Sequence, residues 1–323
     1  MKESLEHCAS KLSDNIVMQH YIFKFVFLNL FVFSFLSPAL AQEMILPTGD
    51  FKELKETGSA IVADVIDPMT VRLDDGRTIH LTGLDYPDLD HHEPGPLSVT
   101  AQHILEDFLK GKKVIIYQTP SAKEGRINRM NHKIAHIVRK NDKVWTQGLI
   151  IKLGLARVRT TPYNAQMAQQ MLHLEDLARG KKSGLWEMEK YKVLAPDQAQ
   201  NYIDSYQIIE GKVISASMKK NRLYLNFGRN WKDDFTVSVS SSDLRRFARK
   251  GLEPNRWSGK KIRVRGWLES YNGAYMEVDH PARFEALFAE NTQKKTPSDK
   301  GPSATKPPSK KTLKGTALPA FND

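Results

Sequence analysis

Cysteine is almost absent. The chain of 323 residues holds one, Cys8, which leaves no intramolecular disulfide to stabilise it. No apolar run reaches the ~20 residues that a membrane-spanning helix needs; the one inside "YIFKFVFLNLFVFSFLSPALA" has about a dozen. No Ser/His/Asp elbow, phosphate loop or dinucleotide fingerprint occurs, and no long internal repeat. Hydrophobic residues nevertheless make up 40% of the chain, with five Trp, ample for two ordinary cores plus tails.

Residues 1 to 41 read as a cleaved secretion signal: Lys24 sits in the lead-in to the apolar run, and Ala39-Leu40-Ala41 forms a small-residue cleavage pattern before Gln42. The stretch ahead of it is long, and Met18 offers a more ordinary start. Cleavage would remove Cys8 and leave a mature protein with no thiol and no stable membrane span. The expected location is periplasmic or secreted.

The formal charge is +11, of which the tail from Asn291 to Asp323 supplies about +5 through seven Lys against two Asp. The surplus left on the body suits contact with polyanions. Composition breaks at 187–203, a polar stretch with a proline, and again from 289, where Lys, Pro, Ser and Thr dominate without periodicity. The expected division is therefore a linker at 42–57, a first domain at 58–186, a linker at 187–203, a second domain at 204–288 and a flexible arm at 289–323.

In the first block, alternating runs at 59–64, 70–73 and 78–84 read as strands, with Asp74-Asp75-Gly76 as a hairpin turn. A helix carrying Val99, Ile104, Leu105, Phe108 and Leu109 follows and ends at Gly111. "KKVIIYQ" and "HKIAHIVRK" read as two more strands, then "VWTQGLIIKLGLARV" as a helix and short strand, then Asn164 to Arg179 as an amphipathic helix. Five strands with a helix inserted after the third give a small Greek-key barrel. The second block repeats the plan, with Ser242 capping a helix and Ile262, Val264 and Leu268 alternating inward against Arg263, Arg265 and Trp267. The predicted class is mainly β with α, two oligonucleotide-binding-type barrels in tandem.

Four stretches in this order, "IDPMTV", "HLTGLDYPD", "NRMNHKIAHI" and "ARGKKSGLW", make the first block resemble the staphylococcal nuclease (thermonuclease) family. The second block, with "YLNFGRNWKDDFTVSV" and "RVRGWLESYNGAYMEVDHP", looks like the companion barrel of some exported bacterial members. The resemblance implies a Ca²⁺-dependent phosphodiesterase: two aspartates and a backbone carbonyl on the metal, two arginines on the phosphate, a glutamate as base. Such chemistry needs oxygen ligands for a hard cation and guanidinium forks for phosphate.

Carried across by position, the metal residues are Asp67, Asp85 and the carbonyl of Tyr86, but the second aspartate of the turn is Met69. The base falls on Asp88, one methylene shorter, and the two arginines are His80 and His132. A thioether is a poor ligand for Ca²⁺, a carboxylate withdrawn by over ~1 Å loses on the order of 10²-fold, and a neutral imidazole makes no bidentate phosphate contact. The expectation is an impaired catalyst needing no cofactor, with Ca²⁺ or another divalent metal as the candidate if activity survives.

The alternative is an active metal-dependent phosphodiesterase with a remodelled His/Asp site, drawing on Asp88, Asp90, His91, His92 and Glu93 of "DLDHHEPG" and on His80, His132 and His136. Adjacent His91 and His92 point apart in an extended chain, so a solvated loop is preferred. His136, alternating with Ile134, fits a hydrogen-bonded wall residue as well as a ligand, and His103 belongs to the surface.

Binding can outlast catalysis. Arg222, Tyr224, Arg229, Trp231, Lys232, Arg263, Arg265, Trp267, Tyr271 and Tyr275 interleave cations with aromatics, as single-stranded nucleic acid requires; the same aromatics would also serve to pack barrel against helix under snorkelling arginines. Expected partners are single-stranded nucleic acid, an anionic envelope polymer or an unidentified protein.

Overall fold

The computed structural model describes residues 46–89, 92–230 and 234–288; the signal segment, the C-terminal arm, Asp90, His91, Trp231 and Lys232 lie outside them. Four α-helices and fourteen strands occur among the described residues. The first unit comprises β1 (Lys55–Asp67), β2 (Thr70–Leu73), β3 (Thr78–Leu81), β4 (Gly83–Asp85), α1 (Pro96–Leu109), β5 (Lys113–Gln118), β6 (Lys133–Arg139), α2 (Thr146–Lys152), β7 (Arg157–Arg159) and α3 (Ala168–Gly180).

Strands β1-β2-β3-β6-β5 form a closed barrel, with β3 and β6 parallel and the other pairs antiparallel. Alternation explains the closure: Val62, Val71, Leu73, Ile79, Leu81, Val114, Ile116 and Ile137 all turn into one core. Strand β1 is longer than its sequence pattern because register shifts near Gly58, Val62 and Val65 bend it enough to pair with both β2 and β5. Helix α1 buries Leu97, Ala101, Leu105 and Leu109, one face at four-residue spacing. Helix α3 begins at Ala168, four residues after the periodic pattern does.

The second unit contains β8 (Ser205–Lys212), β9 (Ser215–Lys219), β10 (Arg222–Asn226), β11 (Thr236–Ser240), α4 (Ser241–Arg249), β12 (Lys261–Ser270), β13 (Ala274–Glu277) and β14 (Phe284–Ala286). The cap of α4 is Ser240, two residues before the expected Ser242, and its hydroxyl accepts from the Asp243 amide at 3.1 Å. Its strands form a seven-stranded sheet, ordered β14-β12-β13-β11-β10-β9 with β8 on β12. Strand order matches the first barrel, including a parallel pair, β11 with β13. Among the described residues no ladder between β8 and β9 closes the ring. The two ends meet through the chain itself, where β8 runs on into β9 across Val213 and Ile214.

Neither stretch read as a linker hangs free. Phe51 stacks on Tyr117 with centroids 4.5 Å apart and meets Trp145 edge-on, so 46–54 is laid on the first barrel. Leu194 and Ala199 of the 187–203 stretch are buried in the second core. The units also share material: Ile208 of β8 belongs to the first unit's core cluster, and the Tyr206 hydroxyl donates to the Val158 carbonyl at 3.2 Å.

Candidate functional site: a nuclease-like acidic corner

The acidic corner lies where β4 pairs with β7, with Asp85 opposite Arg157. Gly83 has φ of +88°, and a Cβ there would meet Met171 Cε at 2.5 Å, so only glycine lets the corner approach α3 this closely. Asp85 is buried, and its carboxylate is engaged on both sides. Arg157 donates from Nε at 2.9 Å and lies with Nη2 2.8 Å from the same oxygen, Oδ2, while Arg159 donates from Nη1 to Oδ1 at 3.3 Å. The ring of Tyr206, from the second unit, stands 5.4 and 5.0 Å from the two guanidinium carbons, a cation–π contact that holds both arginines in place.

Tyr86 is buried, and its hydroxyl donates to the Pro68 carbonyl at 3.0 Å. The phenol thereby ties the acidic corner to the 67–70 turn, and burial pushes its pKa up. Asp67 accepts the Met69 amide at 2.7 Å, closing an Asx turn. Met69 packs against the core.

Gly95 is the N-cap residue of α1, and the Asp88 side chain caps the helix start from outside it. The carboxylate accepts from Leu97 N at 2.8 Å, Ser98 N at 3.2 Å and Ser98 Oγ at 2.6 Å. These amides are the orphan donors of a helix start, and Pro96 at the first helical position needs none. A Cβ on Gly95 would stand 2.5 Å from Asp88 Oδ2, so glycine leaves room for the carboxylate. Asp88→Ala should lower stability by about 1–2 kcal/mol in a urea titration, with Asn recovering most of it. A change within error would mean the carboxylate is free for another task.

His80 lies half-buried on β3, opposite Thr70 and beside Ile134. Burial lowers its pKa, Asp67 counters this, and His132 adds to the lowering. His92 and Glu93 are exposed and His103 is on the surface. His136 is the wall residue: it is buried, accepts from Trp145 Nε1 at 3.3 Å, and burial drives its pKa down to about 3. Among the described residues no group of three His, Cys, Asp or Glu is arranged to hold a metal ion.

The donor set does not fit the calcium ion implied by the fold. The position that the family resemblance gives to a second aspartate is Met69, a thioether, and the Asp85 oxygens already face two positive charges. The contacts that remove Asp85 come from β7, more than 70 residues downstream; no sequence signal near the acidic corner announces them.

The binding set divides. Arg265 is fully buried between the units, donating to Glu175 at 3.0 and 2.8 Å, to Glu285 at 2.6 Å and to the Val158 carbonyl at 3.1 Å. Arg263 is bound to Glu210, Glu285 and Asp176. Neither is available to a ligand, which corrects the expectation for both. Arg222 pairs with Glu277 at 2.8 Å. Tyr224 is half-buried, while Arg229 and Trp267 are exposed. Sequence reasoning placed Arg263 and Arg265 outside their own core correctly; it did not see that this outer face is the seam between the units.

Residues 78–188 match the family model described as staphylococcal nuclease homologue. The match starts at β3, so β1 and β2, which close the barrel, lie outside it. No curated protein matches the chain.

Proposed function

Because the chain carries a staphylococcal nuclease homologue domain at residues 78–188, we propose that it is a nuclease-like protein that binds without hydrolysing. One observation carries the reading: the Asp85 carboxylate is neutralised by Arg157 and Arg159 and braced by Tyr206 of the second unit. A metal ligand has become the centre of a structural ion cluster. The other positions agree, since Asp88 caps α1 and the Tyr86 hydroxyl is tied to the 67–70 turn. Groups that act as a unit in catalysis lose nearly everything when one is removed, and here several have other work.

The test is hydrolysis of single- and double-stranded DNA and of RNA by the full-length protein in Ca²⁺, Mg²⁺, Mn²⁺ and Zn²⁺. No cleavage above a metal-free control is expected with any of them. Metal-dependent cleavage that disappears in Asp85→Ala would overturn the reading and restore the remodelled-site alternative.

A further inference from the structure

The second sheet has an outer face of unusual chemistry. Opposite the core residues Leu223, Leu225, Val237 and Val239, the register aligns Ser217, Tyr224, Ser238 and Glu277 in one cross-strand row. Asn226, Thr236, Tyr275 and Glu269 make the next. Hydroxyl and amide groups dominate both rows; Ser238, Thr236 and Tyr275 are buried beneath the surface, while Ser217, Tyr224 and Asn226 are half-buried and reach it. They are pre-ordered: Ser238 Oγ and the Tyr275 hydroxyl lie 2.5 Å apart, and Arg222 Nη1 donates to both.

Two aromatic rings stand out along one edge. Tyr271 is 62% exposed and Trp267 45%. Tyr271 sits at a tight turn in which Asn272 and Gly273 have positive φ, and its ring meets Tyr275 edge-on at 5.5 Å. Trp267 lies four residues earlier, on β12, ~13 Å away at the rise of a β-strand.

Charge decides which ligand suits this face. Its two cations, Lys219 and Arg222, are matched by two carboxylates, Glu269 and Glu277, with Arg222 bonded to Glu277 at 2.8 Å. Affinity for a polyanion comes from uncompensated cations that displace counterions, and a balanced face lacks that drive. Spaced exposed rings beside the half-buried neutral groups of Ser217, Tyr224 and Asn226 instead match a pyranose chain, which stacks its C–H faces and bonds through its hydroxyls. The corresponding sheet face of oligonucleotide-binding-type barrels takes oligosaccharides as well as oligonucleotides.

We infer that the outer face of β9, β10, β11, β13 and the end of β12 is a binding site for a neutral oligosaccharide, with Trp267 and Tyr271 as stacking platforms. The inference rests on the reading that the protein works by binding, but it is tested without any activity assay. Full-length protein is titrated with neutral hexasaccharides of the chito, cello, malto, xylo and manno series, by tryptophan fluorescence and calorimetry. Saturable binding that is insensitive to salt is expected for at least one series. Trp267→Ala and Tyr271→Ala should each weaken it about tenfold with an unchanged melting temperature, and Trp267→Phe should restore most of it.

Three results would overturn the inference: no binding by any series at millimolar sugar, binding unaffected in both alanine variants, or salt-sensitive binding of an oligothymidylate lost in those same variants. The last would assign the face to single-stranded nucleic acid. A positive hydrolysis screen would sink the proposed function and leave the sugar titration standing, so the two failures are distinguishable.

Discussion

Arg265→Ala is expected to destabilise the folded protein by about 3–5 kcal/mol, the scale of breaking a buried ion pair from one side. Glu175 has no exposed surface, and Glu285 keeps little. Burial works against the Arg265 charge, yet Glu175 and Glu285 hold its pKa above the ordinary arginine value. Burial alone would likewise raise the Glu175 pKa, and Arg265 holds it below the usual range. Remove the guanidinium and two carboxylates face each other inside a seam, with the Val158 carbonyl left without this donor.

For a body of this size each kcal/mol shifts the melting temperature by about 2–4 °C, so a fall on the order of 10 °C should appear in calorimetry. Arg265→Lys should be intermediate, since an ammonium keeps the charge and loses the planar fork. A loss below about 1 kcal/mol would show that water enters the seam and that the cluster is not sealed. Because Ile208 and Tyr206 also bridge the units, unfolding of the wild type should be a single transition.

The second large effect is acid sensitivity. Burial alone depresses the His136 pKa to about 3, against ~6.5 in an unfolded chain. Between those values the unfolded state binds a proton that the folded state refuses. Stability is therefore complete above pH 6.5 and falls as pH falls, by about 1.4 kcal/mol per pH unit well below that point. His280 acts in the same direction: burial lowers its pKa despite Asp279, with Arg283 and Arg246 adding to the lowering and Thr160 Oγ1 at 2.8 Å from Nε2.

Urea midpoints measured from pH 7 to pH 5, where the paired carboxylates are still ionised, report on the buried histidines, to which half-buried His80 adds in the same direction. A loss of about 2 kcal/mol from His136 is expected over that range. His136→Gln, whose side-chain oxygen can accept from Trp145 Nε1, should flatten the slope while keeping the wall intact. A wild-type midpoint that does not move would contradict the buried neutral imidazole.

The sequence by itself determined where strands lie, because period-two alternation at 70–73 and 78–81, the apolar run at 113–118 and the Asp-Asp-Gly turn are local signals of backbone geometry. It also shows Met69, His80 and His132 where the family resemblance expects an aspartate and two arginines. It assigned Ile262, Val264 and Leu268 to the core, and they are fully buried there.

Only the tertiary structure decided what became of the residues that remained. Asp85 could be a ligand or an ion-pair partner until β7 delivered Arg157 from 72 residues away. Asp88 reads as a base until α1 folds back to place its first amides on that carboxylate. Arg263 and Arg265 alternate outward like solvent-facing cations, and outward proves to be the interface. The physical reason is common to all three: a charge takes its role from the partner that shares its burial, and partners far apart in sequence meet only when the chain is packed.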